Sequence, residues 1–371
     1  MSINKEKIER YIAEFFDDGI RLSRNKWNYA DGCVIVAAEQ LYKATEQKIF
    51  RDYILRYTDS YVSENGVIRT YNPEEFKLDD ILPGRALLFA YQETGEERYM
   101  TAIRKLLSQL DAQPRTKSGN YWHKKIYPNQ VWLDGLFMAQ PFRMAYDTRY
   151  GKKDSYLDIC DQFSNVRKNM RNPINGLYYH GFDESRSVFW SDPESGCSKN
   201  FWIRAIGWYL MGLVDTIEEM DRSVYDFMRP LQDIYKEALK ALLKYCDEKS
   251  GLLYQVVDRP EQEGNYLETS GSAMTAASIF KACRLRLILE EKYRPSAERI
   301  LESLIENKLV NKNGTLVLTD TCSVAGLGPD IGRRDGSVEY YLSEPIADDD
   351  NKGVAALFMA YAQYLMLTKR K

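Results

Sequence analysis

Carboxylate side chains recur just before glycines that open apolar stretches of the chain, and a tryptophan or an arginine accompanies them or takes their place at some of these points. Trp132 and Asp134 precede one such glycine, and Trp202 and Arg204 precede another. A carboxyl group can donate or accept a proton, an arginine can bind a carboxylate, and tryptophan rings can stack on sugar faces. These residue types together predict a carbohydrate site with acid–base chemistry. For Arg204, a cation–π contact with the neighbouring tryptophans is the alternative.

Asp134 is the main candidate for a general acid. It lies between Trp132 and the apolar residues of the segment LDGLFM, where burial would raise the pKa of a carboxyl group. A raised pKa is what a general acid needs near neutral pH. Its spacing also fits a helix N-cap, which stabilises a helix by about 1 kcal/mol. For Asp31, Thr269 and Asp350, which precede other apolar stretches, we prefer this capping role.

The chain contains two histidines, His123 and His180. His123 lies in the segment YWHKK beside Lys124, whose ammonium group can contact a carboxylate or hydroxyl groups. His180 follows two tyrosines, and a structural role is the usual one for such a lone histidine. Two histidines exclude a histidine-rich metal site, though not an ion bound by carboxylates, and the six cysteines include no CxxC pair. We therefore expect no metal site and no cofactor.

The charge and the start of the chain limit the partners and the compartment. A net charge of −3 gives no electrostatic reason to expect nucleic acid or an anionic membrane as a partner. The opening MSINKEKIERYIAEFF carries charges throughout, which predicts an amphipathic helix rather than a signal peptide. No later run reaches the ~18 apolar residues of a membrane span. Scattered cysteines suit a reducing compartment, so we expect a cytoplasmic protein.

The glycine-led apolar stretches recur through the chain and must position these residues. They begin near Gly32, Gly84, Gly135, Gly207, Gly271 and Gly353. Their apolar residues cover most of the helical circumference, which predicts buried helices. Amphipathic stretches with charged faces lie between them, at 42–60, 97–111, 154–168, 224–246 and 294–307, with the N-terminal helix as a sixth.

This alternation predicts six pairs of outer and inner helices. One pair cannot bury its apolar side alone, so neighbouring pairs must stack. Six pairs can close into a ring, an all-α (α/α)6 barrel, and no linker interrupts them, so we expect a single domain over residues 1–371. An open helical repeat used for binding is the alternative. Short hairpin strands are expected in the loops, at 175–182, 251–257 and 314–320.

In such a ring the inner helices run parallel, so their N-termini meet at one mouth. Helix N-termini carry free N–H groups and a partial positive charge, which favour anionic ligands. The carboxylates and aromatic residues that precede the glycines would line this mouth. The predicted site is therefore one for an anionic sugar.

Several longer motifs resemble one enzyme family. They are LDDILPGRALL (78–88), YWHKK (121–125), VWLDGLFMAQPF (131–142), GLYYHGFDE (176–184), FWIRAIGWY (201–209), NYLETSGSAM (265–274) and GSVEYYLSEP (336–345). The chain in this respect resembles the unsaturated rhamnogalacturonyl hydrolases of glycoside hydrolase family 105, which are related to unsaturated glucuronyl hydrolases. The resemblance extends over nearly the whole chain and also implies an (α/α)6 barrel.

The resemblance implies a role for each matching residue. Asp134 matches the catalytic acid/base, and Asp79 the second important carboxylate, with Asp80 as an alternative by one position. The matching substrate-binding positions are His123, Lys124, Trp132, His180, Trp202, Arg204 and Trp208. The role that the resemblance implies for Lys124 can depend on the sugar beyond the cleaved bond.

The implied substrate is a short pectin-derived oligosaccharide whose terminal uronate carries a C4=C5 double bond. On this hypothesis Asp134 protonates C4, water adds at C5, and the resulting hemiketal opens and breaks the glycosidic bond. Three alternatives stay open: a glucuronyl substrate from another polysaccharide, an ordinary inverting glycosidase on the same barrel, and a noncatalytic binding scaffold. The sequence does not indicate the oligomeric state.

Overall fold

The computed structural model describes residues 3–17, 19 and 25–369. The other positions, which include the first two of the predicted N-terminal helix, lie outside the described residues. The α-helices are α1 (Lys5–Asp17), α2 (Tyr29–Thr45), α3 (Lys48–Tyr61), α4 (Gly84–Thr94), α5 (Glu97–Ala112), α6 (Leu133–Arg149), α7 (Tyr156–Met170), α8 (Ile203–Glu219), α9 (Tyr225–Leu242), α10 (Thr269–Arg284), α11 (Glu290–Ser303), α12 (Val338–Ser343) and α13 (Asn351–Thr368).

Six of these helices form a closed inner ring. In order around the ring, α2, α4, α6, α8, α10 and α13 each pack against the next, and α13 packs against α2. The helices α3, α5, α7, α9 and α11 each pack outside a neighbouring inner helix, and α1 packs against α3. The predicted (α/α)6 barrel is confirmed.

Inner and outer helices differ in the way their residues are buried. Every residue of α8 from 203 to 217 is buried, as an apolar pattern around the whole circumference requires. In the outer helix α9 the buried residues repeat at helical spacing on one face, as Leu231, Ile234, Tyr235, Ala238 and Leu242. The outer helices therefore present their charged faces to solvent.

Three of the repeated glycines lie where neighbouring inner helices approach each other closely. A Cβ atom on Gly207 would lie 3.0 Å from the Cβ of Met274, and one on Gly271 would lie 2.9 Å from the backbone carbon of Ile203. On Gly32, a Cβ atom would lie 3.0 Å from the ring of Pro83. Real Cβ atoms rarely approach so closely, so a side chain here would separate the first turns of the helices. These contacts place the N-termini of adjacent inner helices side by side.

Short antiparallel strand pairs join the loops at this mouth. They are β1 (Gln130–Trp132) with β2 (Gly181–Asp183), β3 (Leu253–Tyr254) with β4 (Leu267–Glu268), β5 (Leu309–Lys312) with β6 (Thr315–Leu318), and β7 (Thr321–Cys322) with β8 (Ile346–Ala347). Each predicted strand segment contains or overlaps one of these strands, but the strands are shorter than predicted. The last pair closes the base of an excursion of the chain over residues 323–345, which carries α12.

A buried ionic cluster joins the C-terminal halves of α8 and α10. Asp215 lies 2.6 Å from Arg85 and 2.6 Å from Lys281, and Lys281 also lies 2.6 Å from Glu218. Burial alone would raise the pKa of Asp215, but Lys281 and Arg85 outweigh it and lower this pKa. The cluster therefore keeps Asp215 ionised and links the C-terminal halves of α8 and α10 to Arg85 of α4.

No helix of the described residues is long and apolar enough to cross a membrane.

Candidate active site

Backbone hydrogen bonds bring three distant loop segments together in front of α6. The N–H of Leu78 donates to the carbonyl of His123 at 3.1 Å, and the N–H of His123 donates to the carbonyl of Gln130 at 2.9 Å. The N–H of Leu133 donates to the carbonyl of His180 at 3.1 Å, which continues the pairing of β1 with β2. These backbone hydrogen bonds position the two histidines, together with Asp79 beside Leu78 and Asp134 beside Leu133.

Trp132 joins the two histidines. Its ring stacks on the imidazole of His123 at a centroid distance of 4.4 Å and an interplanar angle of 16°. The ring of Tyr127 also stacks on Trp132, at 4.7 Å, and the imidazole of His180 meets it edge-on at 5.4 Å. Trp132 is 5% exposed. It therefore acts as a buried wall that separates and supports the two imidazoles.

Asp79 is held as an anion on one side of this wall. Its Oδ2 lies 2.6 Å from Nζ of Lys124, and its Oδ1 lies 3.5 Å from Nε2 of His123. Burial alone would raise the pKa of Asp79, but the charge of Lys124 and its hydrogen bond outweigh burial and hold this pKa below its ordinary value. Asp79 therefore stays ionised at neutral pH.

Asp80 has different surroundings from its neighbour. Its backbone carbonyl accepts a hydrogen bond of 2.7 Å from Nε1 of Trp27. Burial, together with the charge of Asp79, raises the pKa of Asp80 to about 7. Among the two adjacent carboxylates, it is Asp79 that the structure brings to His123 and Lys124.

His123 is a neutral imidazole near neutral pH. It is 2% exposed, and burial lowers its pKa to about 4 although the charge of Asp79 acts in the opposite direction. Its Nδ1 is buried without a hydrogen-bond partner among the described residues. A neutral imidazole beside an ionised carboxylate can donate one hydrogen bond while it adds no charge of its own.

Asp134 follows Trp132 by two positions and is the second residue of α6. Its Oδ2 is 3.5 Å from Nε2 of His180, and its side chain is 14% exposed. This Oδ2 is buried and has no hydrogen-bond partner among the described residues. The Nδ1 of His180 is hydrogen-bonded to the hydroxyl of Tyr341 at 2.8 Å.

Arg204 is buried and already engaged by protein groups. Its guanidinium hydrogen-bonds to the Oγ of Ser270, at 3.3 Å, and to the carbonyl oxygen of Cys322. It lies 4.6 Å from the ring centroid of Trp202 and 3.8 Å from a carboxylate oxygen of Glu268. The cation–π contact and the hydrogen bonds together fix its position at the mouth of the barrel.

The two tryptophans that flank Arg204 are both buried. Trp202 donates from Nε1 to the side chain of Gln255 at 3.0 Å and lies 4.8 Å from the imidazole of His180. Trp208 stacks on Phe137 at 4.7 Å, within the barrel core. The structure therefore brings Trp202 to the site cluster and places Trp208 in the packing between α6 and α8.

A family model described as Glycosyl Hydrolase Family 88 matches residues 4–368. The chain belongs to glycosyl hydrolase family 88. The predicted likeness to family 105 is also confirmed. A solved glycoside hydrolase of family 105 from C. acetobutylicum ATCC 824 is 36% identical, with a TM-score of 0.90 over 98% of this chain and 99% of that one.

Two further relatives have informative names. The unsaturated rhamnogalacturonyl hydrolase YesR of Bacillus subtilis (strain 168) is 25% identical over 300 residues, which are 79% of this chain and 81% of that protein. The solved structure of the unsaturated glucuronyl hydrolase of Bacillus sp. GL1 is 14% identical in sequence. Its alignment covers 95% of this chain and 93% of that chain, with a TM-score of 0.66. The second likeness shows the shared fold alone.

The structure of this family 88 hydrolase places two tyrosines, Tyr29 and Tyr341, at the mouth of the barrel. The sequence alone indicated no individual role for either of them. Tyr29 is the first residue of α2, and burial and the nearby charge of Asp79 raise the pKa of its phenol. Nζ of Lys352 lies 6.0 Å from the centroid of the Tyr29 ring. The rim segment before Gly32 contains Tyr29, and the motif GSVEYYLSEP (336–345) contains Tyr341, but neither position alone indicated a role for its tyrosine.

Proposed function

We propose that this family 88 hydrolase removes the 4,5-unsaturated uronic acid from the nonreducing end of rhamnogalacturonan-derived oligosaccharides. The name of the Bacillus subtilis relative supports this substrate class. The proposed reaction adds water across the C4=C5 double bond and does not displace the leaving sugar at C1.

The unequal surroundings of the two carboxylates carry the proposal. Asp79 has a lysine partner at 2.6 Å and stays ionised. Among the described residues, Asp134 forms no ion pair with a lysine or an arginine. Its Oδ2 lies 3.5 Å from Nε2 of His180. An inverting glycosidase needs an acid and a base on opposite sides of the bond. Hydration of an enol ether needs one carboxyl that first donates and then accepts a proton, and Asp134 is suited to both steps.

The reaction follows from this single carboxyl group. Protonated Asp134 gives its proton to C4, and the electron pair of the double bond forms the new C4–H bond. The positive charge that develops at C5 is stabilised by the ring oxygen. Water then attacks C5, and the carboxylate of Asp134 accepts the proton that water releases. The hemiketal opens by cleavage of the bond between C5 and the ring oxygen, which gives a ketone at C5 and transfers the C5 hydroxyl proton to the ring oxygen. C1 is now a hemiacetal, and it becomes an aldehyde as its hydroxyl proton leaves with the departing sugar, which is released as an alcohol.

The remaining residues of the site support binding in this proposal. The ionised Asp79 accepts hydrogen bonds from sugar hydroxyl groups, with Lys124 and His123 fixing its orientation. Arg204 and the N-termini of the inner helices supply positive potential for the uronate carboxylate. Trp132 and Trp202 form walls around the proton donor.

The test is a panel of disaccharides assayed in D2O. Hydration removes the ultraviolet absorbance of the unsaturated uronate and places deuterium at C4. We expect both signals with unsaturated galacturonyl-rhamnose, and weaker signals with an unsaturated glucuronyl disaccharide. Release of reducing sugar while the absorbance persists would refute hydration, and preference for the glucuronyl compound would refute the rhamnogalacturonan assignment. A saturated disaccharide serves as the control.

A further inference from the structure

The hydroxyl of Tyr341 is hydrogen-bonded to Nδ1 of His180, and the tautomer of the imidazole decides which of the two atoms donates. Both residues are 0% exposed, and the hydroxyl lies 2.8 Å from Nδ1 of the imidazole. No other group among the described residues is hydrogen-bonded to this hydroxyl. Burial raises the pKa of Tyr341 well above its ordinary value, so the group remains a phenol. A buried O–H without an acceptor is costly, and Nδ1 is the acceptor that the structure provides.

This hydrogen bond determines the tautomer of His180. In a neutral imidazole one ring nitrogen carries the proton and the other accepts. Because Nδ1 accepts from Tyr341, the proton lies on Nε2. That N–H faces Oδ2 of Asp134 at 3.5 Å, and catalytic hydrogen bonds of this length commonly shorten when substrate binds.

The tautomer in turn distinguishes the two oxygens of Asp134. Oδ2 of Asp134 is buried and faces the N–H of His180. The exposed part of the Asp134 side chain therefore lies elsewhere than at Oδ2. An oxygen that accepts a hydrogen bond from N–H is a poor place for the acidic proton. The proton of the carboxylic acid therefore lies on Oδ1, the oxygen that a sugar can reach. With the opposite tautomer, Oδ2–H would donate to Nε2, and the proton would point away from the substrate.

We propose that Tyr341 is a positioning residue that fixes the Nε2–H tautomer of His180 and so directs the transferable proton of Asp134 to Oδ1. The inference rests on the proposed role of Asp134 as the proton donor. Tyr341 itself contacts neither the sugar nor the reacting atoms. It acts through His180, from a segment that is distant in the sequence.

The structure holds Tyr341 firmly enough for this role. It belongs to α12, and its carbonyl accepts a hydrogen bond of 3.2 Å from Nε2 of Gln255. Its ring stacks on Trp202 at 6.1 Å with an interplanar angle of 17°. Ser337 caps the start of the helix by accepting from the N–H of Tyr340 at 3.1 Å. The hydroxyl of Tyr341 is therefore presented to His180 by a fixed ring.

The tautomer is measured directly by 15N NMR of the full chain labelled at histidine. The chain has two histidines, so His123→Gln assigns the remaining signal to His180. We expect the wild-type His180 to carry its proton on Nε2, and Tyr341→Phe to shift the population toward Nδ1–H. The same variant is expected to lower kcat about tenfold, the effect of one orienting hydrogen bond, with KM little changed.

Tyr340→Phe is the matched control. This neighbouring tyrosine is also buried, but its hydroxyl accepts from the N–H of Gly326 at 2.9 Å. The control should leave the His180 tautomer and kcat near the wild-type values. A wild-type His180 protonated on Nδ1 would overturn the proposal whether or not any variant folds. An unchanged tautomer and kcat in Tyr341→Phe would also overturn it. The NMR measurement needs no substrate, so failure of the proposed function in the disaccharide assay is a separate result.

Discussion

Nζ of Lys124 lies 2.6 Å from Oδ2 of Asp79, and this contact keeps a buried carboxylate ionised. The pKa of Asp79 is held below its ordinary value by Lys124 against the effect of burial. Replacement of Lys124 by Gln should therefore raise the pKa of Asp79. If Asp79 must be ionised to bind the sugar, the acid limb of the kcat/KM profile will move to higher pH. The measurement is a pH–rate series on the wild type and Lys124→Gln, with Lys125→Gln as the control. An unshifted acid limb would exclude Asp79 as the group that Lys124 controls.

Asp134→Asn should abolish most turnover and leave the fold intact. The amide keeps the size of the side chain but can neither donate an acidic proton nor accept one from water. General acid–base catalysis by one group contributes roughly a hundredfold to ten-thousandfold, so kcat should fall by that factor. Circular dichroism and the melting temperature check the fold, and Asp111→Asn, at an exposed ion pair with Arg143, is the control. A near-normal kcat in Asp134→Asn would remove Asp134 from the acid role.

His123 should stay neutral in moderately acidic solution. Burial lowers its pKa to about 4, from an ordinary value of 6.5. An NMR titration of the two labelled histidines should therefore show one imidazole that titrates near pH 4, and His123→Gln should remove that signal. Titration of His123 near its ordinary value would show that water or an anion compensates for its burial.

The two adjacent carboxylates should affect stability in opposite directions. Asp80 has a folded-state pKa of about 7 against an ordinary value of 3.8, so the unfolded chain loses this proton first. Its contribution to the unfolding free energy is present below about pH 4 and is lost as the pH rises to about 7. Asp80→Asn should therefore gain stability over the wild type across this window.

Asp79 has a lowered pKa, so Asp79→Asn should lose stability above pH 4. Urea unfolding at several pH values measures both, and parallel curves for Asp80→Asn and the wild type would contradict the first expectation.

Loss of one ion from the buried cluster should destabilise the barrel. Lys281→Met leaves the carboxylate of Asp215 with Arg85 alone in a site that is 0% exposed. Removal of one partner of a buried pair typically costs about 3–5 kcal/mol of unfolding free energy. The exposed pair of Arg115 and Asp158 provides the comparison, since Arg115→Met should cost about 0–1 kcal/mol. Equal losses in the two variants would show that the cluster adds no more than a surface ion pair.

The sequence predicted the barrel well because its signal is repeated. The glycines that open the apolar stretches leave no room for a side chain, and some of them mark a close approach between neighbouring inner helices, as between Gly271 and Ile203. Each repeat reports the same packing requirement, so an error in one boundary does not change the architecture. The predicted outer helices differ from the structure mainly at their ends, where α3 begins at Lys48 and not at 42.

The site was harder to predict because its partners meet only through tertiary structure. Strands β1 and β2 have three residues each, too few to show an alternating pattern. Tyr341 and His180 are 161 positions apart, so no local spacing relates them. Trp208 matched a binding motif, yet a tryptophan suits a barrel core as well as a sugar site. Residue type and motif alone do not distinguish these two environments.

The pairing of β7 with β8 gives the excursion over 323–345 its own closed base. The chain on either side of the excursion is therefore joined by backbone pairing that does not depend on residues 323–345. Tyr341 lies on this segment, while Asp134 lies at the start of α6 and His180 directly precedes β2. Substitutions within residues 323–345 can thus change both the delivery of the proton and the space beside Asp134. The barrel itself need not change.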